Sequence, residues 1–319
     1  MLVDTGSVRA TTDSGIATLW LDFPGRPANA LNPARLAEIE RAFDAVGRER
    51  CVEALVIRSA RPAGFCGGYE PIGLSTLVND ADAAAYAHCG QRLFNRIAEA
   101  EIATVAFLEG PCLGPGWELA LACDYRLAVA GPDSWIGFPN APHLPPGWGG
   151  AARLGRSFPP FANGQMLTAK EVLRRGWIDD AFSARRAKVE LQNWLDRIVA
   201  KPRKKSRARS GEALAIERIA FRTAIRNEGH RKLAANPSAV GTSLNDPSDV
   251  VELAIRGQCV VGNCIEADVV EFLAVALRRG RVTPLEAEQA RKRIAFATND
   301  ESITSISFPA PSASIARAA

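Results

Sequence analysis

The strongest constraint on the fold is an alternation of short apolar runs with amphipathic stripes along the first 184 residues. The apolar runs are bounded by turn-forming residues, as where Pro24-Gly25 ends the first one, which is typical of strands. Asn32 followed by Pro33 marks a helix start, because Asn caps free N–H groups and proline suits the first helical position. Strands are predicted at 16–23, 54–57, 104–108 and 125–129, and helices after Asn32, around 86–97 and at 117–123. This order predicts an α/β domain with mostly parallel strands.

The chain changes character after about residue 184. Residues 187–199 predict one helix, and residues 212–295 have a wholly helical pattern with loops near Pro237 and at 244–249. The last segment is rich in Ser, Ala, Thr and Pro, a composition that favours disorder. We therefore predict four parts: a domain at 1–200, a basic linker at 201–211, a helical C-terminal region at 212–296 and a disordered tail at 297–319.

The net charge of +4 comes from one local run rather than from the whole chain. Residues 201–209 hold six basic residues, and subtracting six from +4 leaves −2 for the remainder. No aromatic residue interleaves with this run to stack on bases, so we predict no nucleic-acid partner, although a contact with phosphate groups stays open. No segment approaches the roughly 18 apolar residues that span a bilayer, so no membrane partner is predicted.

The seven cysteines indicate a reducing compartment. Their number is odd, they lie in apolar surroundings, and no N-terminal segment resembles a signal peptide. We therefore predict reduced core thiols and a cytoplasmic location. Cys259 and Cys264 stand five residues apart, but no second pair has the spacing of metal ligands, so no metal is predicted.

Two glycine-rich loops carry the functional signal, Gly64–Glu70 and Gly110–Asp124. Glycine after a strand lets the backbone approach a ligand and aim N–H groups at negative charge, although spacing alone favours plain tight turns. Neither loop matches a Walker A loop, a dinucleotide loop or a nucleophile elbow, which argues against a kinase, a dehydrogenase or a serine hydrolase. Ligands of α/β sheets bind where strand ends and helix starts converge, so we expect the two loops to meet.

Five segments in order resemble those of the enoyl-CoA hydratase/isomerase (crotonase) family, over roughly residues 14–182. Phe65–Glu70 is similar to the family's Phe-x-x-Gly-Ala-Asp loop, and Gly110–Asp124 to its glycine-rich loop with a glutamate and a Cys-Asp ending. The other segments are 136–139, 146–150 and 168–179. Residues 22–25 and 29–31 most resemble the hydratase part of multifunctional fatty-acid β-oxidation enzymes, whose nicotinamide-binding domain has no counterpart in these residues.

The resemblance implies a fold and an assembly. The fold is a crotonase-like (ClpP/crotonase) α/β spiral of ββα units with a helical C-terminal region. Members of the family often form trimers through such a region, so we expect a homotrimer or a hexamer.

The resemblance also implies a site for an acyl-CoA thioester. In the family, two backbone N–H groups hold the thioester oxygen while two glutamates move protons, because enolate charge develops on that oxygen. The two donor positions fall on Tyr69 and Pro115, and the two glutamate positions on Glu118 and Asn140. The residues expected to line the substrate are Cys66, Gly67, Gly68 and Gly114. No cofactor is implied beyond coenzyme A as part of the substrate.

Two departures weaken the implied chemistry. Pro115 has no N–H to donate, and losing one oxyanion donor costs about 10²- to 10³-fold in turnover. Asn140 can orient a water molecule but cannot carry a proton, and losing an acid or base costs about 10²- to 10⁴-fold. Two neighbours are candidate replacements: the N–H of Gly116 for the lost donor, and the imidazole of His143 for the lost proton carrier. Separately, the phenol of Tyr69 is bulky enough to narrow the acyl channel.

Two functions stay open. The first is an enoyl-CoA hydratase/isomerase-type enzyme of fatty-acid β-oxidation, with Glu118 as acid and base and the Tyr69 N–H as oxyanion donor. Hydration of a trans-2-enoyl-CoA is favoured over isomerisation, because isomerases of the family often rely on the glutamate that Asn140 replaces. The second is a non-catalytic or repurposed acyl-CoA-binding scaffold. Glu118 itself has an alternative role as a solvated first-turn glutamate that favours the helix dipole.

Overall fold

The computed structural model describes residues 1–23, 28–70, 74, 77, 79–141, 143–155, 164–200, 211–226, 260–262, 283–284, 287 and 294–296. The chain divides into two compact units, Met1–Lys232 and Leu233–Ala319. The strands of the first unit are β1 (Val3–Asp4), β2 (Val8–Asp13), β3 (Ile16–Leu21), β4 (Ala30–Leu31), β5 (Ala54–Ser59), β6 (Gly68–Tyr69), β7 (Ala103–Glu109), β8 (Cys112–Leu113), β9 (Tyr125–Ala130), β10 (Trp135–Gly137), β11 (Met166–Thr168) and β12 (Asp180–Ser183). Its helices are α1 (Pro33–Gly47), α2 (Asp80–Glu99), α3 (Pro115–Ala122), α4 (Gly150–Leu154), α5 (Ala169–Arg174), α6 (Ala187–Val199) and α7 (Gly211–Arg226).

A seven-stranded sheet in the order β1-β2-β3-β5-β7-β9-β12 is the frame of the first unit. The pairs β1–β2 and β2–β3 are antiparallel, and every later pair in the sheet is parallel. Strands β5 and β7 are buried almost throughout, as expected for parallel strands that are covered on both faces. The predicted α/β domain with mostly parallel strands is confirmed.

One face of the sheet packs against α6 through apolar side chains. Leu191, Leu195 and Ile198 of this helix lie in one buried cluster with Val105 and Phe107 of β7. The helix has the bounds that the sequence predicts. Burying each such side chain stabilises the fold by about 1.5–3 kcal/mol, so this cluster is a large share of the apolar stabilisation of the sheet.

The predicted helix starts are confirmed, with one shift. The Asn32 side chain accepts a hydrogen bond from Arg35 N–H at 2.8 Å, and Pro33 occupies the first position of α1. Tyr86, Leu93 and Ile97 form part of the buried face of α2, as their helical spacing predicts. Helix α3 begins at residue 115, two residues before the predicted start, because proline is suited to the first turn.

Two small sheets hold the glycine-rich loops in place. Strands β4 and β6 pair in parallel, which places Gly68 beside Ala30 and Tyr69 beside Leu31. Strand β8, within the second loop, pairs in parallel with β10, and β10 pairs antiparallel with β11. Each loop is therefore fixed by backbone hydrogen bonds close to the residues predicted to bind substrate.

Asn29 ties the main sheet to the first glycine-rich loop. This residue has no solvent exposure. Its Oδ1 accepts from Phe23 N–H at 2.9 Å, and its Nδ2 lies 2.9 Å from Ser59 Oγ, 3.1 Å from Phe65 O and 3.2 Å from Leu21 O. A buried amide with both ends satisfied links the ends of β3 and β5 to the loop before Tyr69.

The C-terminal region differs from its prediction in two respects. Helix α7 belongs to the first unit, whereas the sequence placed it in a separate region at 212–296. The second unit contains a parallel pair of strands, β13 (Val260–Gly262) and β14 (Ile294–Phe296), so the wholly helical pattern predicted for 212–295 is wrong at these segments. Each strand has a β-branched or aromatic residue at two of its three positions. Such short runs are ambiguous between helix and strand. Residues 201–210 of the predicted linker and the predicted tail at 297–319 lie outside the described residues.

The described cysteines are free, but they are not all core residues. Cys66, Cys112 and Cys123 are buried, Cys89 is half-buried and Cys51 is exposed, so the prediction of core thiols is wrong for Cys51. Cys259 and Cys264 lie outside the described residues. Among the described residues, no three metal-ligating side chains form a cluster that could hold a metal ion. Among the described helices, none combines the length and the apolar content that crossing a bilayer requires.

Substitution Asn29→Ala is expected to lower the free energy of unfolding by at least about 2 kcal/mol, because it leaves the buried N–H of Phe23 and a buried carbonyl without a partner. Urea unfolding followed by tryptophan fluorescence measures this change. Asn193→Ala on the exposed side of α6 is the matched control and should alter stability by less than about 0.5 kcal/mol. Equal effects of the two substitutions would contradict the role assigned to Asn29.

Candidate functional site

The two glycine-rich loops lie against each other, as predicted. Cys66 N–H donates a hydrogen bond to Pro111 O at 3.1 Å, and Leu113 N–H donates to Cys66 O at 2.9 Å. Gly64 adopts φ +128°, and a Cβ at this position would lie 2.6 Å from Pro111 Cδ. Glycine is needed here both for its backbone conformation and for the close approach of the two loops.

Helix α3 begins beside the first loop. Gly114 precedes it at φ +52°, and Pro115 fills the first helical position without an N–H. Gly116 packs on Cys66 so tightly that a Cβ would lie 2.3 Å from Cys66 Cβ. Burial raises the pKa of the Cys66 thiol to about 12, although the nearby N–H groups of this region, including that of Gly116, act in the opposite direction. Gly116 therefore packs directly on Cys66, and a role of its N–H as the replacement for the donor missing at Pro115 stays a prediction.

Glu118 of α3 is a fully buried carboxyl group with three hydrogen-bond donors. Tyr69 Oη donates to Oε1 at 2.8 Å, and the N–H groups of Trp148 and Gly150 each donate to Oε2 at 2.8 Å. A Cβ at Gly150 would lie 2.8 Å from Glu118 Cγ, so only glycine lets the backbone approach the side chain this closely. With an exposure of 0%, Glu118 is not a solvated first-turn glutamate, and that alternative is wrong.

Burial controls the protonation of both partners in the Tyr69–Glu118 pair. Burial raises the pKa of Glu118, and the N–H groups of Gly150 and Trp148, the Tyr69 hydroxyl and the Arg153 guanidinium oppose that rise. Burial also raises the pKa of Tyr69 well above its ordinary value, and the charge of Glu118 adds to the rise. Tyr69 therefore stays protonated and can donate to Glu118. A carboxyl group with a raised pKa is suited to both accepting and giving a proton near neutral pH.

A small cavity lies where the two loops meet. Its lining includes six of the residues predicted for the site: Gly67, Gly68, Tyr69, Gly114, Pro115 and Asn140. The cavity volume is about 10 Å³, which is room for roughly one water molecule. Glu118 is not among the lining residues, whereas Tyr69 is, and the Tyr69 hydroxyl donates to the Glu118 carboxyl group.

The remaining predicted residues lie around this cavity in different ways. Asn140 is half-buried in the lining, and its backbone carbonyl accepts hydrogen bonds from the N–H groups of His143 and Leu144. His143 is exposed and does not line the cavity, so its placement gives no support to a role as proton carrier. Cys66 is buried behind the lining.

An aromatic cluster surrounds the Tyr69 ring, and the sequence did not reveal it. Trp148 meets Tyr69 edge-on with ring centroids 5.1 Å apart, and Tyr86 of α2 stacks on Trp148 at 5.3 Å. Phe221 of α7 stacks on Tyr86 at 5.8 Å. Gly90 of α2 makes room for this packing, because a Cβ there would lie 2.1 Å from Trp148 Cγ. The cluster fixes both the Tyr69 ring and the backbone of Trp148, which together supply two of the three donors to Glu118.

Glu217 of α7 is a second buried carboxyl group that sequence reasoning missed. Its Oε1 accepts from Gly149 N–H and its Oε2 from Ala152 N–H, the latter at 2.8 Å. A signal for it exists in the sequence, since Leu214, Glu217 and Phe221 recur at helical spacing. A glutamate within an apolar stripe indicates a buried charge that needs partners.

Comparison with protein families decides the relationship. The profile of the enoyl-CoA hydratase/isomerase family matches residues 11–212, which is most of the first unit. The chain belongs to this family. Membership agrees with the resemblance drawn from the five ordered segments.

Relatives of this enoyl-CoA hydratase/isomerase family member are considerably longer proteins. The fatty acid oxidation complex subunit alpha of Aliivibrio fischeri is 36% identical over 175 residues, which cover 52% of this chain and 26% of the relative. That of Vibrio campbellii is 27% identical over 299 residues, which cover 90% of this chain and 40% of the relative. The chain therefore spans less than half the length of these relatives.

Solved structures share the fold. An enoyl-CoA hydratase from Bacillus halodurans superposes with a TM-score of 0.61 at 20% identity, covering 72% of this chain and all of that one. An enoyl-CoA hydratase/carnithine racemase from Magnetospirillum magneticum gives 0.58 at 21% identity, covering 70% of this chain and 82% of that one. The first unit of this family member therefore has the crotonase-like fold that its sequence predicts.

Substitution Tyr69→Phe is expected to destabilise the protein by about 1–3 kcal/mol, because Glu118 Oε1 loses its buried donor. The raised pKa of Glu118 rises further without this donor. The destabilisation should therefore grow as the pH increases, since the ionised carboxylate needs the donor more than the protonated form does. Urea unfolding near pH 5.5 and near pH 8.5 measures the effect.

Tyr86→Phe is the matched control for this substitution. The Tyr86 hydroxyl is buried and has no hydrogen-bond partner among the described residues. Its removal should be close to neutral or slightly stabilising at both pH values. A loss as large as that of Tyr69→Phe would show that the Tyr69–Glu118 hydrogen bond contributes nothing special.

Proposed function

We propose that this protein hydrates the double bond of a trans-2-enoyl-CoA thioester with Glu118 as its acid and base. The observation that carries the proposal is the buried Glu118 carboxyl, held by three donors directly behind the cavity formed by the two glycine-rich loops. Membership of the enoyl-CoA hydratase/isomerase family supports an acyl-CoA substrate.

The chemistry asks for two fixed elements. As the oxygen of water bonds to the β-carbon, negative charge builds on the thioester oxygen, and the N–H of Tyr69 is the donor placed to hold it. Glu118 takes a proton from the water and returns a proton to the α-carbon, so the elements of water add across the double bond. Fixed donors and a positioned acid and base lower the barrier to these two steps.

Access to Glu118 requires the Tyr69 phenol to move aside. Tyr69 is one of the residues that line the cavity, and its hydroxyl donates a hydrogen bond to Glu118 Oε1. An enoyl group that approaches Glu118 must either displace this hydroxyl or bind directly beside it. The cost of breaking one buried hydrogen bond to a charged group is about 1.5–3 kcal/mol, which binding of the acyl chain must exceed.

A second function is an acyl-CoA-binding scaffold without turnover. One point favours it: by the family resemblance, Pro115 and Asn140 fall at the positions of an oxyanion donor and a catalytic glutamate. A missing donor and a missing acid or base together lower turnover by about four to seven decades if their effects multiply. Such effects are often smaller in combination than their product.

The wider setting follows from the relatives. Relatives named as fatty acid oxidation complex subunit alpha support a role in fatty-acid oxidation, although two of them that match over 299 residues are each covered to only 40%. A cytoplasmic location and a homotrimer or hexamer are part of the same proposal. The location rests on the odd number of cysteines, and the oligomeric state rests on the family resemblance.

Purified protein mixed with crotonyl-CoA is expected to remove the enoyl absorbance slowly, and Glu118→Gln should abolish that turnover because the amide cannot accept a proton. Glu101→Gln at an exposed position is the control and should keep the wild-type rate. Calorimetric titration with acetyl-CoA runs alongside. Tight binding without turnover at several chain lengths favours the scaffold, and absence of both binding and turnover contradicts both functions.

Substitutions that restore the family's residues at positions 140 and 115 are expected to raise turnover. Asn140→Glu should increase kcat by about 10²- to 10⁴-fold, since it returns an acid or base to the cavity lining. Pro115→Gly should add about 10²- to 10³-fold, because it returns an N–H to the start of α3. Asn140→Gln adds length without a titratable group and should give no gain. An equal gain from glutamine and glutamate would remove proton transfer from the explanation.

A further inference from the structure

Glu217 shares one backbone turn with Glu118. The turn at residues 148–152, here called the α4 turn, leads into helix α4. Its N–H groups alternate between two carboxyl groups: those of residues 148 and 150 bind Glu118, and those of 149 and 152 bind Glu217. Glu217 is 4% exposed and lies in α7, beyond the residues that the family profile matches.

We propose that Glu217 is a positioning residue for Glu118, which it fixes by holding the opposite N–H groups of the α4 turn. The inference rests on the proposed role of Glu118 as acid and base. The α4 turn cannot rotate to release Glu118 while Glu217 holds its other N–H groups. A displacement of about 1 Å in a catalytic group lowers the rate by about 10²-fold, so such a restraint matters.

Helix α7 is anchored independently of Glu217. The side chain of Gln91, in α2, donates to Gly147 O at 3.0 Å and to Leu214 O at 3.2 Å. It thereby joins α2 both to the residue before the α4 turn and to α7. Arg222 of α7 pairs with Asp80 of α2 at 2.8 Å. Substitution of Glu217 therefore leaves α7 with other contacts and alters mainly the α4 turn.

The charges around Glu217 give the restraint a pH dependence. Burial and the charge of Glu118 raise the Glu217 pKa from its ordinary 4.5 to about 8, against the N–H groups of Ala152 and Gly149 and the Arg153 guanidinium. The charge of Glu217 in turn contributes to the raised pKa of Tyr69. Near neutral pH, Glu217 is therefore mainly protonated and adds no second negative charge. Above about pH 8 it ionises beside Glu118.

Thermal unfolding tests the coupling without any need for turnover. All six tryptophans lie in the first unit, so their fluorescence reports on that unit alone. Because the Glu217 pKa is higher in the folded than in the unfolded protein, stability is full below about pH 4.5 and is lost as the pH rises towards 8. In Glu217→Gln this loss should shrink. In Glu118→Gln it should end at lower pH, because the Glu217 pKa falls when the neighbouring charge is removed.

The stability measurements have clear contrary outcomes. Parallel curves of Tm against pH for the wild type and Glu217→Gln would overturn the proposal, because Glu217 would then not titrate as a buried group. A Glu217 transition unmoved by Glu118→Gln would overturn it as well, since the two carboxyl groups would not interact. Glu212→Gln, at an exposed position of the same helix, is the control and should follow the wild-type curve.

Turnover supplies the second readout. Glu217→Ala is expected to lower kcat by about 100-fold with little change in KM, because the α4 turn loosens behind Glu118 rather than in the substrate path. Glu217→Gln keeps one acceptor and never ionises, so its kcat should fall less and should not decline above about pH 8 as that of the wild type does. Unchanged kcat in Glu217→Ala overturns the positioning role. If the wild type turns over no acyl-CoA, the proposed function fails, and the stability measurements still decide the role of Glu217.

Discussion

The burial of one carboxyl group, that of Glu118, organises the first unit. Moving an ionised carboxylate out of water costs several kcal/mol, so the surrounding structure has to return hydrogen bonds and a compensating charge. The two N–H groups of the α4 turn, the Tyr69 hydroxyl and the nearby Arg153 guanidinium do so. Helix α3 carries Glu118 itself, the first glycine-rich loop carries Tyr69, and the aromatic cluster packs on Tyr69 and Trp148.

The sequence predicted strands β3, β5, β7 and β9 and helices α1, α2, α3 and α6, because their signals are local, but it did not predict β2 or β12 of the same sheet. Apolar runs and helical stripes, caps such as Asn32 and turns at glycine can all be identified from neighbouring residues. The meeting of the two glycine-rich loops was also predictable, from the geometry of parallel strands. The strands at 260–262 and 294–296 were missed because three-residue runs have no period to distinguish helix from strand.

The contacts of the site were less predictable than its residues. The sequence indicated that Tyr69 and Glu118 belong to one site, but not that the phenol donates to the carboxyl group, since a side-chain direction depends on packing from distant elements. Glu217 and Phe221 were missed for the same reason, because they reach the site from a helix that follows the predicted domain. The departure at Pro115 fits the fold, because proline is suited to the first position of helix α3.

The contact between residue 147 and helix α7 has a consequence for variation among related chains. A Cβ at Gly147 would lie 2.6 Å from Phe221 Cδ2, and the Gly147 carbonyl already accepts from Gln91. With the aromatic ring of Phe221 in this place, a side chain larger than hydrogen at position 147 would require the ring to shift. We expect a related chain with a small side chain at position 221 to be free of that restriction, so glycine at 147 together with an aromatic residue at 221 would indicate a C-terminal helix packed against the carboxyl site.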